Sequence, residues 1–200
     1  MVDGSVDIQM DNPGGPPVVI RSRTSQDHAL ITRMYEEILA DEVDFFIVNV
    51  RDSLEIARWF EPNEFVQTIA LVAEVNREIV GEAVLMRQKN PRLSHVGNIR
   101  FYIRPEWRKA GLGATLVSSL FTQATRIGIE KICIDLPDPA ARKFDSMLTR
   151  NGFSREAVLH NHFRSGSGEK MDIVIYGRDL EELWHRISDW VSNYGRAMEY

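Results

Sequence analysis

The chain has 200 residues, 44% hydrophobic and 26% charged, with a formal net charge of −5; one domain with one sizeable core is expected. The acidic balance excludes a general nucleic-acid binder, whose phosphate partner demands a basic surface, but not a small anion held by a local cluster of cations. No apolar run reaches the ~18–20 residues of a membrane helix, MVDGSVDIQM lacks the pattern of a secretory signal, and the single Cys133 allows no intramolecular disulfide, so a cytoplasmic protein with neither a membrane nor a nucleic-acid partner is expected.

Residues 1–17 are polar and rich in Gly and Pro and read as a flexible tail. Residues 18–23 (VVIRSR) form the first strand. Thr24, with Asp27 three residues on, starts a helix whose apolar stripe is Ile31, Met34, Tyr35, Ile38 and Leu39. An acidic, aromatic segment follows (DEVDFFIVNV, 41–50), and Asp52 or Ser53 caps a short helix through Phe60. Residues 66–86 read as a hairpin turning at Asn76-Arg77. A third long strand covers 96–103, and Pro105 ends its pairing.

The next helix carries Leu112, Leu116, Val117, Leu120, Phe121, Ala124 and Ile127 on one face and stops at Gly128. Residues 131–136 (KICIDL) are a strand buried on both faces, with Cys133 a packed core thiol. Asp138-Pro139 starts a helix that ends near Asn151-Gly152. Strands at 154–163 and 171–177 flank the loop RSGSGEK. A final helix, 180–194, carries an apolar stripe that docks on its own sheet or on a second subunit, which keeps a homodimer open. The order is β-α-α-β-β-β-α-β-α-β-β-α. Strands two residues apart are antiparallel and strands a helix apart most simply parallel. The fold class is therefore α/β: a mixed, twisted, mostly antiparallel sheet with helices on both faces.

Residues 104–117, RPEWRKAGLGATLV, join a strand to a helix. The first N–H groups of a helix lack internal partners and its dipole favours negative charge there. Gly111 and Gly113 have no side chain to keep an anion from those amides, and Arg104, Arg108 and Lys109 add positive charge. A P-loop is excluded because Gly113 is followed by Ala114-Thr115, not Lys-Ser/Thr. A dinucleotide fingerprint is excluded because the third spaced glycine is missing.

Arg108-x-x-Gly111-x-Gly113, preceded by Ile103-Arg-Pro-Glu-Trp-Arg108, resembles the coenzyme-binding signature of the GCN5-related N-acetyltransferases (GNAT). The resemblance extends to the buried strand that follows, to Asn151-Gly152-Phe153 after the next helix, and to the strand holding Asp172 to Tyr176; it covers residues 18–179. It implies a GNAT-like domain that uses acetyl-CoA and no metal. Phe101, Tyr102 and Ile103 on the strand, Arg108, Lys109, Ala110, Gly111, Leu112, Gly113 and Ala114 at the turn, and Arg142 on the next helix would hold the coenzyme. It further implies direct attack by a primary amine of a small molecule or peptide on the thioester carbonyl. A backbone N–H from residues 99–103 would polarise that carbonyl, a donor worth ~10²–10³ in rate.

The family often carries an acid, a tyrosine four residues before the glycine of the Gly-Phe pair; this chain has Leu148 there. Tyr102 and Tyr176 are substitutes in residue type only. Where some members place a glutamate base, this chain has Asn98, which can hold a water but cannot take a proton. His95 and Glu82 are the other base candidates, His95 against a plain loop role and Glu82 against a solvated strand position. His160 and His162 lack the third ligand a metal site needs and read as surface residues. The acids and rings of residues 41–46 suit either a cationic acceptor pocket or a solvated loop. Leu148 and Asn98 keep a second function open, a non-catalytic acyl-CoA-binding regulatory module on the same fold.

Overall fold

Asn76 (φ 49°) and Arg77 (φ 68°) are both left-handed, the backbone of a two-residue type I′ turn whose twist matches that of the strands it joins. They connect β3 (Phe65–Val75) to β4 (Glu78–Gln88). Around this hairpin lie β1 (Asp7–Met10), β2 (Val18–Ser22), β5 (Val96–Ile103), β6 (Lys131–Pro137), β7 (Ser154–Arg164) and β8 (Lys170–Asp179). The computed structural model describes residues 6–11, 15–61, 65–88, 90–108 and 111–180. Its eight strands form one sheet in the order β1-β2-β3-β4-β5-β6-β8-β7.

Two expectations need correcting. The segment read as a flexible tail contains β1, which pairs with β2 from Asp7↔Arg21 to Met10↔Val18, while Val6 beside it is buried. A strand with three exposed side chains can hold an edge because β2 satisfies its backbone groups. Second, β2 and β3 are antiparallel neighbours although two helices separate them. A helix pair makes a round trip, so the chain re-enters the sheet at the end it left. A single helix makes one crossing, and β5 and β6 are accordingly parallel.

The helices are α1 (His28–Glu36), α2 (Ser53–Arg58), α3 (Leu112–Arg126) and α4 (Asp138–Arg150). Asp27 fixes the entry to α1: its carboxylate takes the Thr24 N–H at 2.7 Å and a forked pair from Arg21 at 2.7 and 2.8 Å. Asp52 caps α2 by accepting from the Leu54 N–H at 2.9 Å. Alternation along the strands splits the core in two. Leu71, Ala73, Ile99 and Ile103 pack with Leu112, Leu116 and Leu120 of α3. Val72 and Tyr102, from the opposite face, pack with Ile31, Met34 and Tyr35 of α1 and Ile56 of α2. Fully burying each such side chain contributes ~1.5–3 kcal/mol. The helix expected at 180–194 lies, beyond Leu180, outside the described residues.

The sheet changes partner at its centre. β5 pairs with β6 at Val96↔Lys131, Gly97↔Ile132 and Asn98↔Cys133 only. Beyond Asn98, β5 stays with β4 as far as Gly81↔Ile103, and β6 stays with β8 as far as Pro137↔Ile173. The two halves diverge, and the facing edges of residues 99–103 and 134–137 are left without a strand partner in the middle of the sheet.

Candidate active site

The split exposes backbone in a defined direction. The Arg104 N–H donates to the Val80 carbonyl at 2.9 Å on the β4 side, and the His95 carbonyl accepts from the Glu130 N–H at 2.8 Å on the β6 side. Alternation between these two anchors turns the N–H and C=O groups of Ile99, Phe101 and Ile103 toward the split. The Ile103 carbonyl is taken by the Arg108 Nε at 2.8 Å; the Ile99 N–H closes the last rung of the ladder onto Cys133, and the Phe101 N–H points into the gap.

α3 begins at the mouth of the gap. Gly111 is its N-cap, with φ 79°, a conformation costing an L-residue ~1–2 kcal/mol. The first intrahelical bond, Thr115 N–H to Gly111 C=O at 3.1 Å, leaves the N–H groups of Leu112, Gly113 and Ala114 without a partner inside the helix. A Cβ on Gly113 would stand 3.1 Å from the Ile103 Cδ1, so glycine lets α3 close onto β5. A cavity of about 1300 Å³ runs along the split, with Gly111, Gly113, Ala114, Phe101, Tyr102 and Ile103 in its wall. The Leu112 side chain is buried in the core, so its contribution to this mouth is its N–H. Lys109 and Ala110 lie outside the described residues.

Arg108 does not stand free. Its guanidinium forks onto Glu42, 2.6 Å to each carboxylate oxygen, and the Lys143 Nζ reaches the same carboxylate at 2.8 Å. Glu42 sits in the 3-10 turn Ala40–Phe45 and is 2% exposed. Hydrogen bonds from Arg108 and then Lys143 outweigh burial and hold its carboxyl down at about 2. The acidic segment therefore ties the glycine turn to α4, and its one buried acid is already neutralised. Asp44 in the same segment accepts from the Gly166 N–H at 3.1 Å. Arg142 points away: its side chain is 77% exposed and pairs with Asp138 at 2.6 Å. Lys143, one residue on, is the α4 cation that faces the glycine turn.

Asn98, Arg100 and Tyr102 share the α1/α2 face of β5, and Asn98 stands at the fork, opposite Cys133. Two residues beyond Cys133, on the same face, Asp135 enters the cavity wall. It makes no hydrogen bond or ion pair among the described residues, and burial pushes its carboxyl up. Asp135 escaped the sequence reading, although the one carboxylate inside the doubly buried strand KICIDL was its signal.

The other base candidates are placed differently. Glu82 is fully buried and outside the cavity wall; it is bound by Arg23 at 2.9 Å and by the Tyr35 hydroxyl at 3.1 Å. Its position opposite Tyr102 put it on the buried α1/α2 face, where a charge needs a partner. His95 is exposed at the closed end of the split, roughly 20 Å along the strand from Phe101.

Leu148 is 2% exposed and lines the cavity. Of the described tyrosines only Tyr102 joins it there, its hydroxyl kept protonated mainly by burial. The Tyr176 hydroxyl is spent on Asp145 at 2.7 Å. Burial likewise pushes the Cys133 thiol up, which makes it a poor nucleophile. His160 pairs with Asp172 at 2.9 Å on the surface. Among the described residues no three His, Cys, Asp or Glu side chains converge as metal ligands, and no helix is long and apolar enough to cross a membrane.

The family model for the acetyltransferase (GNAT) family matches residues 31–145. No curated protein matches the sequence. Among solved structures, the GNAT domain of S. lividans PAT superposes with a TM-score of 0.67 at 18% identity, covering 90% of this chain and 99% of that one. yncA from Salmonella typhimurium, solved with its cofactor acetyl-CoA, gives 0.66 at 20% identity over 82% and 94%. The ribosomal-protein-alanine N-acetyltransferase from Brucella melitensis gives 0.66 at 21% identity over 80% and 99%. At these identities the likeness is one of fold.

Proposed function

This chain belongs to the acetyltransferase (GNAT) family, and from that premise we propose that it transfers the acetyl group of acetyl-CoA to a primary amine by direct attack. The observation that carries this reading is the meeting of two sets of free backbone donors: the Phe101 edge of the split, and the N-terminus of α3 at its mouth. Both sets open onto the same cavity, which suits a ligand with a diphosphate at one end and a thioester at the other. The α3 amides and the dipole behind them hold the diphosphate. The Phe101 N–H faces the carbonyl oxygen where negative charge grows during attack.

The acceptor enters from the α1/α2 face. An alkylamine has a pKa near ~10.4 and arrives protonated; Asp135 takes that proton, directly or through a water held by Asn98. Asp135 suits the task because burial brings its carboxyl closer to neutral pH. The departing thiolate, with a parent pKa of ~8.5, leaves with little acid help, which accommodates Leu148 where a tyrosine is common. Calorimetry with acetyl-CoA tests the coenzyme half. Submillimolar binding is expected, weakened at least tenfold in Gly113→Val, where a branched side chain would meet Ile103. Undiminished binding in that variant would sink the assignment. Tight binding with no thiol released on any amine would instead support a non-catalytic acyl-CoA-binding module, the reading that Leu148 and Asn98 keep alive.

A further inference from the structure

The acceptor end of the cavity is charged in a way the acetyl transfer itself does not explain. Beneath α1 and α2, Arg23 and Glu82 form an ion pair at 2.9 Å with side chains 9% and 0% exposed. Arg23 is further fixed by the Trp59 carbonyl at 2.9 Å. Tyr35 donates its hydroxyl to Glu82 and stays neutral, since burial and the adjacent carboxylate push its pKa well up. Arg100 is the second cation at this carboxylate, but its contact is the loose one: 3.9 Å, within ion-pair range and beyond hydrogen-bond length, with the Tyr35 hydroxyl beside it. Its side chain is 14% exposed, its guanidinium is stacked 3.5 Å from the Trp59 ring centroid, and its Nε is buried without a hydrogen-bond partner.

Among the described residues the cluster thus holds two guanidiniums and one carboxylate, a net charge of +1 in a nearly dry place. A buried cation of that kind is stable only with an anion or strong acceptor opposite it. Arg100 lines the cavity, so the missing partner can arrive from solvent. Asp135 stands across the split on the same face and is not within ion-pair reach of Arg100. The two groups form a complementary pair of handles, one for an amine and one for an oxyanion.

On the reading that the protein acetylates amines, we infer that its acceptor is an amine that also carries a carboxylate, such as an amino acid, with Arg100 as the carboxylate's recognition residue. A guanidinium offers that group a forked pair of donors. Trp59 covers one face of the guanidinium and shields it from water, and the apolar Met86 and Phe46 walls leave room for an uncharged side chain.

The test measures acetyl-CoA-dependent thiol release with L-amino acids, each beside its own carboxamide. The amide has the less basic and hence more available amine, so a preference for the acid cannot come from the amine. Wild-type protein is expected to favour acids by about 100-fold or more in kcat/KM. Arg100→Met should erase that preference while acetyl-CoA affinity, read by calorimetry, is kept. Arg100→Lys should retain a reduced preference. Amides or simple alkylamines turned over as well as the acids by wild-type protein would overturn the inference and leave acetyl transfer intact. Bound acetyl-CoA with no turnover of any amine would overturn both. A preference unchanged in Arg100→Met would overturn the role given to Arg100.

Discussion

Asp135 carries a carboxyl group into a cavity wall within a strand otherwise made for burial, and nothing among the described residues neutralises it. Its raised pKa has a sign that can be followed. A folded-state value above the unfolded one means the group opposes folding at neutral pH and ceases to do so as the pH falls through that value. Asp135→Asn should therefore leave the unfolding midpoint unchanged or slightly higher, while kcat falls by about 10²-fold or more. The acidic limb of the wild-type rate profile, where a carboxylate base is lost to protonation, should lie above the ordinary value of 3.8 and vanish in the variant. A variant that loses stability and activity together would point to a structural role.

Glu42 acts between elements. It draws together the 3-10 turn before α2, the glycine turn before α3, and Lys143 of α4. The partners are 66 and 101 residues from it, so the tie closes large loops and brings the coenzyme mouth next to the acceptor side. Glu42→Gln keeps the shape but leaves two cations facing each other. Because Arg108 and Lys143 remain partly solvated, the expected cost is ~2 kcal/mol in urea unfolding at pH 7. The carboxyl is depressed from 4.5 to about 2, so its contribution is present above pH ~4.5 and is lost as the pH falls toward 2. Wild type and variant should converge as the pH of the unfolding measurement approaches about 2; a gap that stays constant with pH would contradict the ion-pair account.

At the scale of the whole molecule, the cavity exists because two sheet halves share three residue pairs and then part. A ligand that bridges the β5 edge and the start of α3 adds contacts where the halves are not otherwise joined. Acetyl-CoA at 100 times its Kd should stabilise the fold by ~2.7 kcal/mol, which for a chain of this size raises Tm by ~5–10 °C. Differential scanning should show that shift with acetyl-CoA and a much smaller one with Gly113→Val. Equal shifts in both proteins would mean that the ligand binds elsewhere.

Much of this was legible from local signals. The Asn76-Arg77 turn, the Asp52 cap, the bounds of β5 and the glycine entry to α3 depend on residues adjacent in sequence, whose turn and capping chemistry is local. The RxxGxG spacing marked an anion mouth for the same reason. What remained hidden depends on residues far apart in the chain. Glu42 and Arg108 look like two surface charges until the fold sets them 2.6 Å apart. Glu82 resembled a possible base until register placed it opposite Tyr102 under two helices. The edge strand β1, four residues of mixed character with three side chains exposed, could not be read because its only requirement is a neighbour to pair with. By itself the sequence determined the order of elements from β2 to β8, the strand–glycine–helix junction and the family. Tertiary structure alone decided which strands part, which charges are cancelled, and that Arg23 and Arg100 share one carboxylate, because pairing and desolvation are properties of what the fold brings together.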